Sequence, residues 1–431
     1  PSPPPPSPPP PPHPPPPPFY QTANRYAWTG QDLDGVPGDD GMGYGLALSN
    51  DGLVLATGAP NANGGHVIVW QRDSVDNVWH ERYELYGENS GDQFGSAVAL
   101  SADGAMLVVG EYGFDQSQGR VRAFLWDETA YVPRGTPRVH TVAGVNKWEQ
   151  FGISVALSND GLVFAATADY GSHATGTMTG FVRVFAWNDD NGDWVQRDQL
   201  NGIAPHDYFG RGLALSADGS VIAVGASGYD HMGEISTGYV SVRSWDDSTY
   251  QPMGDPVYGI DMVDGLGGSV SLSADGLVVA ANAKAADVGG YNAAPNDDSG
   301  YARVFAYSGG QWESRGDRIY GTNPSDYTSS VALNADGSVL AIGSIRHDGV
   351  GQGGHDNRGH ARAFAWTGTG WGLVGDLEDM VGEAASDELG FRVALSGDST
   401  VLAVSAPKND GNDGALSDSG HVRVYMVEFH P

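Results

Sequence analysis

The chain has 431 residues, of which 22 are Lys or Arg and 53 are Asp or Glu, giving a formal charge of −31 and no cysteine. That balance argues against nucleic acid or an anionic membrane as a partner and leaves room for divalent cations or basic proteins. Without cysteine there is no disulfide framework and no thiol chemistry, and no apolar run is long enough to cross a bilayer. Glycine stands at 63 residues and no stretch sustains a 3.6-residue apolar period, so an all-β fold is expected.

Residues 1–18, PSPPPPSPPPPPHPPPPP, come first. Contiguous prolines cannot join a helix or a sheet ladder, so this tract is expected to be a polyproline II arm. At 3.1 Å per residue it would reach roughly 55 Å. The chain opens on Pro1 with neither Met nor a leader pattern, so its true start is expected to have been lost to processing or to lie outside this segment.

From there one pattern repeats. Ser-x-Asp-Gly occurs as SNDG ending at Gly52, SADG at Gly104, SNDG at Gly161, SADG at Gly219 and SADG at Gly276, then as NADG at Gly337 and SGDS at Ser399. The steps are 52, 57, 58, 57, 61 and 62 residues, and a period of that size marks a repeat architecture. Asp-Gly between apolar runs is a hairpin signal, because turn residues there must tolerate positive φ.

Each copy follows the same order. An acidic residue stands three before a glycine, as in Asp92-Gln-Phe-Gly95, Glu149-Gln-Phe-Gly152, Asp207-Tyr-Phe-Gly210, Asp264-Gly-Leu-Gly267 and Asp387-Glu-Leu-Gly390, while Asp326-Tyr-Thr-Ser329 loses the glycine. A strand, the Asp-Gly turn and a second strand follow. After a loop of variable length comes a third strand, such as GRVRAFLW at 119 or GHARAFAW at 359, and then a fourth that carries an aromatic residue. Four short antiparallel strands per copy describe a propeller blade. The predicted repeats are 36–87, 88–144, 145–202, 203–259, 260–321, 322–382 and 383–431, within a propeller domain of 19–431. The seventh copy stops after its third strand, so residues 24–35 are expected to supply the missing one and close a seven-bladed ring.

This grammar resembles the FG-GAP repeat family, the blades of integrin α-type propellers, over residues 36–431. The resemblance implies a seven-bladed β-propeller. It also implies calcium on a DxDxDG loop between the first two strands, but SADG and SNDG are too short to enclose a cation needing six to eight oxygens. The proline tract resembles the Ser-(Pro)n blocks of extensins and related hydroxyproline-rich wall glycoproteins. That likeness implies hydroxylation and O-glycosylation at Ser2-Pro3-Pro4-Pro5-Pro6, Ser7-Pro8-Pro9-Pro10-Pro11-Pro12 and Pro14-Pro15-Pro16-Pro17-Pro18. The tyrosine cross-linking motifs of extensins are missing, and no Asn-x-Ser/Thr acceptor with x other than Pro occurs.

Other constellations read first as structure. Asp297, Asp298, Asp410, Asp413 and Asp418 sit on loops between second and third strands and are weak candidates for bound Ca2+; no other cofactor is implied. His347, His355 and His360 match no tight metal spacing and read as a polar loop. Arg122, Arg183, Arg303, Arg362 and Arg423 recur in the third strands, where pairing with the recurring acids is expected. Trp126, Trp187, Trp245 and Trp366 read as blade packing. No Gly-x-Ser-x-Gly, phosphate loop or zinc motif appears, so no enzymatic activity is expected. These features together point to a secreted structural or adhesive glycoprotein of an extracellular matrix, cell wall or surface filament, assembling head-to-tail through its arm with itself or other matrix glycoproteins. The alternative is a lectin- or receptor-like propeller that recognises glycan or protein through its strand 2–3 and 4–1 loops.

Overall fold

A computed structural model describes residues 24–35, 41–139, 148–172, 177–231, 233–286, 298–348, 356–375, 380–410 and 419–429. The arm (1–18) lies outside them. Seven antiparallel sheets follow one another along the described chain, each running from its first strand outward in sequence order except the last, whose outermost strand comes from the start of the chain. Blade 4 shows the plan: Phe209–Leu215, Val221–Ala226, Tyr239–Trp245, then a fourth strand in two pieces, Tyr250–Pro252 and Val257–Tyr258. The molecule is a seven-bladed β-propeller with almost no helix.

The second strand of every blade is buried along its whole length, from Val54–Ala59 to Val401–Ala406. These strands read as continuous apolar runs because a neighbouring blade covers each face. In blade 3, Val163 and Ala165 pack against Phe209, Ile222 and Val224 of blade 4, whereas Phe164 and Ala166 pack toward Met106 and Val108 of blade 2. Removing an aliphatic side chain of this kind from water is worth about 1.5–3 kcal/mol, so blade-to-blade packing holds the ring together.

The Ser-x-Asp-Gly turn is both a local lock and a ring fastener. In blade 4 the Ser216 hydroxyl donates to Asp218 Oδ1 (2.8 Å) and accepts from the Val221 N–H (2.8 Å), while Asp218 accepts from the Ser220 N–H (2.9 Å). Blade 6 repeats the lock with Asn334 in place of serine. The second residue of each turn then donates its N–H to the same position of the next blade. The bonds run Asn50 to Ala102 (3.0 Å), Ala102 to Asn159 (2.9 Å), Asn159 to Ala217 (2.7 Å), Ala217 to Ala274 (2.9 Å), Ala274 to Ala335 (2.7 Å), Ala335 to Gly397 (3.1 Å) and Gly397 back to Asn50 (2.8 Å). This belt of seven bonds closes on itself.

The seam is made by Asn24–Asp34, which pairs antiparallel with His421–Phe429 and completes the last blade. The Tyr26 hydroxyl donates to the Ser399 carbonyl at 2.7 Å, and Arg423 Nε meets Asp32 Oδ1 at 2.9 Å.

Although Arg120 of blade 2 lies 3.9 Å from Asp92, the expected pairing of third-strand arginines with the D-x-F-G acids gives way to other partners in several blades. The acid caps its own turn instead: Asp207 Oδ2 accepts the N–H groups of Ile203 and Ala204, both at 2.8 Å. Arg303 and Arg362 reach back to the preceding blade, donating to the carbonyls of Tyr258 (3.3 Å) and Tyr320 (2.8 Å). Arg122 is bound to Glu111 and Glu88. Short turn segments put the N–H groups of residues three and four positions earlier within reach of one carboxylate oxygen. The aromatic residues pack as expected. Trp187 meets Trp194 edge-on at 5.3 Å, and Arg134 of blade 2 lies 4.3 Å over the Trp187 ring.

Candidate functional site

A cavity of about 720 Å³ opens on the propeller axis, at the end where the first strands begin. That volume is within the range of small-ligand sites. Toward the other end the channel narrows to about 160 Å³ between the leucines that end the first strands, among them Leu48, Leu100, Leu215 and Leu333, next to the belt of turn bonds.

Two positions per blade build the wide end. One is the residue just after the D-x-F-G motif; the other is the residue just after the second strand. In several blades a bulge frees the first of these. The ladder in blade 4 skips from Phe209 to Leu213, and in blade 5 from Leu266 to Val270. Gly210 has φ of +106°, a conformation open to glycine, and the bulge turns Arg211 out of the ladder toward the axis, as bulges beside sites commonly do. The second position is held by Tyr112 in blade 2, Asp169 in blade 3 and Lys284 in blade 5, all lining the cavity. Blade 7 adds Phe391 and Arg392.

Among the described lining residues, Arg211, Lys284 and Arg392 supply the cationic charge and Asp169 and Asp264 the acidic. Asp264 is used elsewhere, accepting from the Tyr301 hydroxyl at 2.6 Å and from the Ile260 N–H at 2.8 Å. Partial burial and the guanidinium groups of Arg211, Arg346 and Arg392 lower the Lys284 ammonium, with Glu388 pulling the other way. Burial and Arg211 likewise lower Arg392. Cations that depress one another mark a concentrated positive potential, held here in a strongly acidic chain. Asp169 offsets it only once ionised. Burial pushes its carboxyl up to about 6, Arg211 Nε is 3.9 Å away, and its Oδ1 has no hydrogen-bond partner.

The cavity walls are fixed by neighbouring blades. The Arg392 N–H donates to Ser405 Oγ (3.0 Å), and its Nε reaches the Tyr44 carbonyl at 3.4 Å. The Tyr44 ring meets Phe391 edge-on at 5.0 Å. Asn282 accepts the Ser269 N–H at 2.6 Å and donates to the Thr328 carbonyl of blade 6 at 2.7 Å. Tyrosine, asparagine and serine groups thus surround the cations, an arrangement suited to an anionic group carried on a hydroxyl-rich or aromatic body.

Of the calcium candidates, Asp298 is half-buried, with the Tyr327 hydroxyl 3.4 Å from its Oδ2, and Asp410 is exposed. Among the described residues neither belongs to a cluster with metal-ligand spacing. Asp297, Asp413, Asp418, His355 and the modification candidates from Ser2 to Pro18 lie outside the described residues. His347 and His360 differ from the polar-loop expectation: both are buried, with rings stacked 3.9 Å apart. Arg211 and Arg392 were missed because they stand next to the repeated motif, and Lys284 because it opens a variable loop with no second charged residue of its own blade beside it in sequence. Aligning the copies in register would have exposed Arg211, since the position after the motif reads Tyr44, Ser96, Ile153, Arg211, Gly268, Ser330 and Phe391.

No protein-family model and no curated protein matches the sequence. The fold is similar to solved structures, one of them a chain of Kuenenia stuttgartiensis hydrazine synthase, with a TM-score of 0.55 and 13% identity over 86% of this chain and 94% of that one. The likeness shows the fold and carries no activity across.

Proposed function

We propose that this propeller is a non-enzymatic extracellular binding module, and that its axial cavity takes an anionic ligand such as a uronic-acid or sulfated oligosaccharide. The observation that carries this reading is the convergence of Arg211, Lys284 and Arg392 in a cavity where Asp264 is engaged by Tyr301, and where Asp169, 3.9 Å from Arg211, leaves the cations in excess. Tyr44, Tyr112 and Tyr170 line the same space and offer ring faces and hydroxyls to a sugar. Charge-assisted bonds to two or three cations supply affinity at that scale.

Titration calorimetry with a galacturonate oligomer, a sulfated oligosaccharide and a neutral oligosaccharide tests it. Binding of an acidic probe, weakened about tenfold or more in Lys284→Ala and in Arg211→Ala, supports the reading. Equal binding of neutral and acidic probes, or no effect of either substitution, overturns it.

The proline tract supports a second reading that is compatible with the first. As an extensin-like, O-glycosylated arm, residues 1–18 would tether the module in a matrix or wall and dock on the next molecule, a heterologous contact that propagates as fibres. Deleting 1–18 should abolish assembly while leaving the propeller folded; unchanged assembly removes this reading. Pentose-sized increments in the intact mass would place the modification on the arm.

A further inference from the structure

Blades 1, 6 and 7 begin their third strands with a buried histidine, His66, His360 and His421, and blade 6 is the one that sets a second buried histidine, His347, against it. In blade 5 the first residue of the third strand, Tyr301, donates to the D-x-F-G acid, Asp264, at 2.6 Å. In blade 2 the same position holds Arg120, 3.9 Å from Asp92. In blade 6 it holds His360, which is fully buried and leaves both ring nitrogens without a partner. The acid beside it, Asp326, is equally buried, and its Oδ1 lies 3.2 Å from Nδ1 of the buried His347.

That one nitrogen of His347 is also 3.0 Å from the Asn323 amide and 3.3 Å from Thr322 Oγ1. The Thr322 hydroxyl is satisfied by Asp326 Oδ2 at 2.9 Å, which also accepts the Thr322 and Asn323 N–H groups, but a ring nitrogen carries either one proton or one lone pair, so Nδ1 cannot both donate to Asp326 Oδ1 and accept from the Asn323 amide. The spacings match something else. Four ligands held at about 2.0–2.1 Å around a tetrahedral ion lie about 3.3 Å from one another. One donor atom from each of Asp326, His347 and His360 falls within 4.8 Å of the others.

We propose that Asp326, His347 and His360 hold a divalent cation of the zinc class as a structural clamp in blade 6. Two imidazoles and one carboxylate form a donor set suited to that ion; the rings, stacked 3.9 Å apart, would turn to aim their lone pairs at it, and Thr322 Oγ1, which donates to Asp326 Oδ2 at 2.9 Å, offers a further oxygen, 3.3 Å from His347 Nδ1. The clamp would join three elements: the turn entering Thr328–Leu333, the chain leaving Val339–Ser344, and the start of His360–Trp366. With His360 and Asp326 both fully buried, the ion would be acquired during folding and exchange slowly. The other cluster of this kind among the described residues, Asp32, Glu383 and His421, has both its carboxylates already bound to Arg423 and serves as the control.

The experiment uses the full chain. Metal content after gel filtration is compared for wild type, His347→Gln, His360→Gln and His421→Gln, and cobalt(II) is substituted for the visible spectrum of a tetrahedral N/O site. The expected result is one ion per chain in wild type and His421→Gln, and a loss of at least tenfold in occupancy in the other two. A metal-free wild type that gives no cobalt band means a stacked histidine pair only, and overturns the proposal. So does a cobalt band that survives His347→Gln or disappears in His421→Gln. If the blade 6 variants do not fold, X-ray absorption on the wild-type protein decides: two imidazole ligands on zinc support the clamp, and their absence sinks it.

Discussion

Asp169 has a carboxyl raised to about 6 because the fold removes it from water and a guanidinium 3.9 Å away, together with local backbone N–H groups, returns too little. A raised acid pKa means that the folded state binds the proton more tightly than the unfolded one. Below about pH 4 both states are protonated and nothing is lost. Between there and pH 6 the unfolded chain ionises first, so the contribution of this group to stability falls and stays low above pH 6. Asp169→Asn should therefore match wild type in urea unfolding near pH 4 and exceed it by ~2–3 kcal/mol at pH 7. An advantage that does not grow with pH would show that the carboxyl is not desolvated as the structure has it. The same ionisation places a negative charge beside Arg211 and within the field of Lys284 and Arg392, so an acidic ligand should bind less tightly as pH rises through 6. In Asp169→Asn that dependence should disappear from the calorimetric titration, with Glu388 and Arg346, which act on Lys284, left to set any residual slope.

At the scale of the element, the hairpin turn and the blade contact are the two places where a single side chain controls the backbone. Ser216 Oγ satisfies the buried Val221 N–H and is itself tied to Asp218. Ser216→Ala removes the acceptor and leaves that N–H unpaired, which should cost ~1–3 kcal/mol in a denaturant midpoint. Ser396, which bonds the Val401 N–H at 3.0 Å, should behave alike, and a cost near zero at both would demote the motif to a mere turn. Gly225 reports the blade contact, since a methyl group there would stand 1.9 Å from the Gly267 carbonyl oxygen of the next blade. Gly225→Ala should lower the thermal midpoint strongly, at a cost of ~3 kcal/mol or more. Other blades fill this position with Thr167, Asn282 or Ser405, and Asn282 bonds across to the neighbouring backbone. These elements were legible from residue order because turn chemistry and apolar runs are local properties. The belt of turn bonds was not, because Asn50, Ala102 and Ala217 meet only after the ring closes. The axial cations stayed hidden for a related reason: a lone Arg211 or Lys284 carries no sign of its partner until the blades bring them to one axis. The histidines of blade 6 misled differently, since the glycine-rich spacing between His347 and His360 looks solvent-facing although both ends are drawn into the blade.

For the whole molecule the decisive contact is the seam. Asn24–Asp34 lies nearly 400 residues from its partner strand, yet it supplies the buried Tyr26 and Leu33, the Asp32 partner of Arg423 and the 2.9 Å bond from the Gly35 N–H to the Gly420 carbonyl. Burying those two side chains alone is worth ~3 kcal/mol or more, and pairing the strand also covers the open edge of His421–Phe429. A chain that begins at residue 36 should therefore have a lower thermal midpoint and should associate through the bared edge, seen as a rise in scattered light with concentration. A chain lacking only residues 1–18 should match the full chain in midpoint, because that deletion leaves Tyr26, Asp32 and Leu33 in place. If both deletions leave the midpoint unchanged, the ring is held by the turn belt and blade packing without need of its closing strand. If both lower it equally, residues 1–18 take part in the fold.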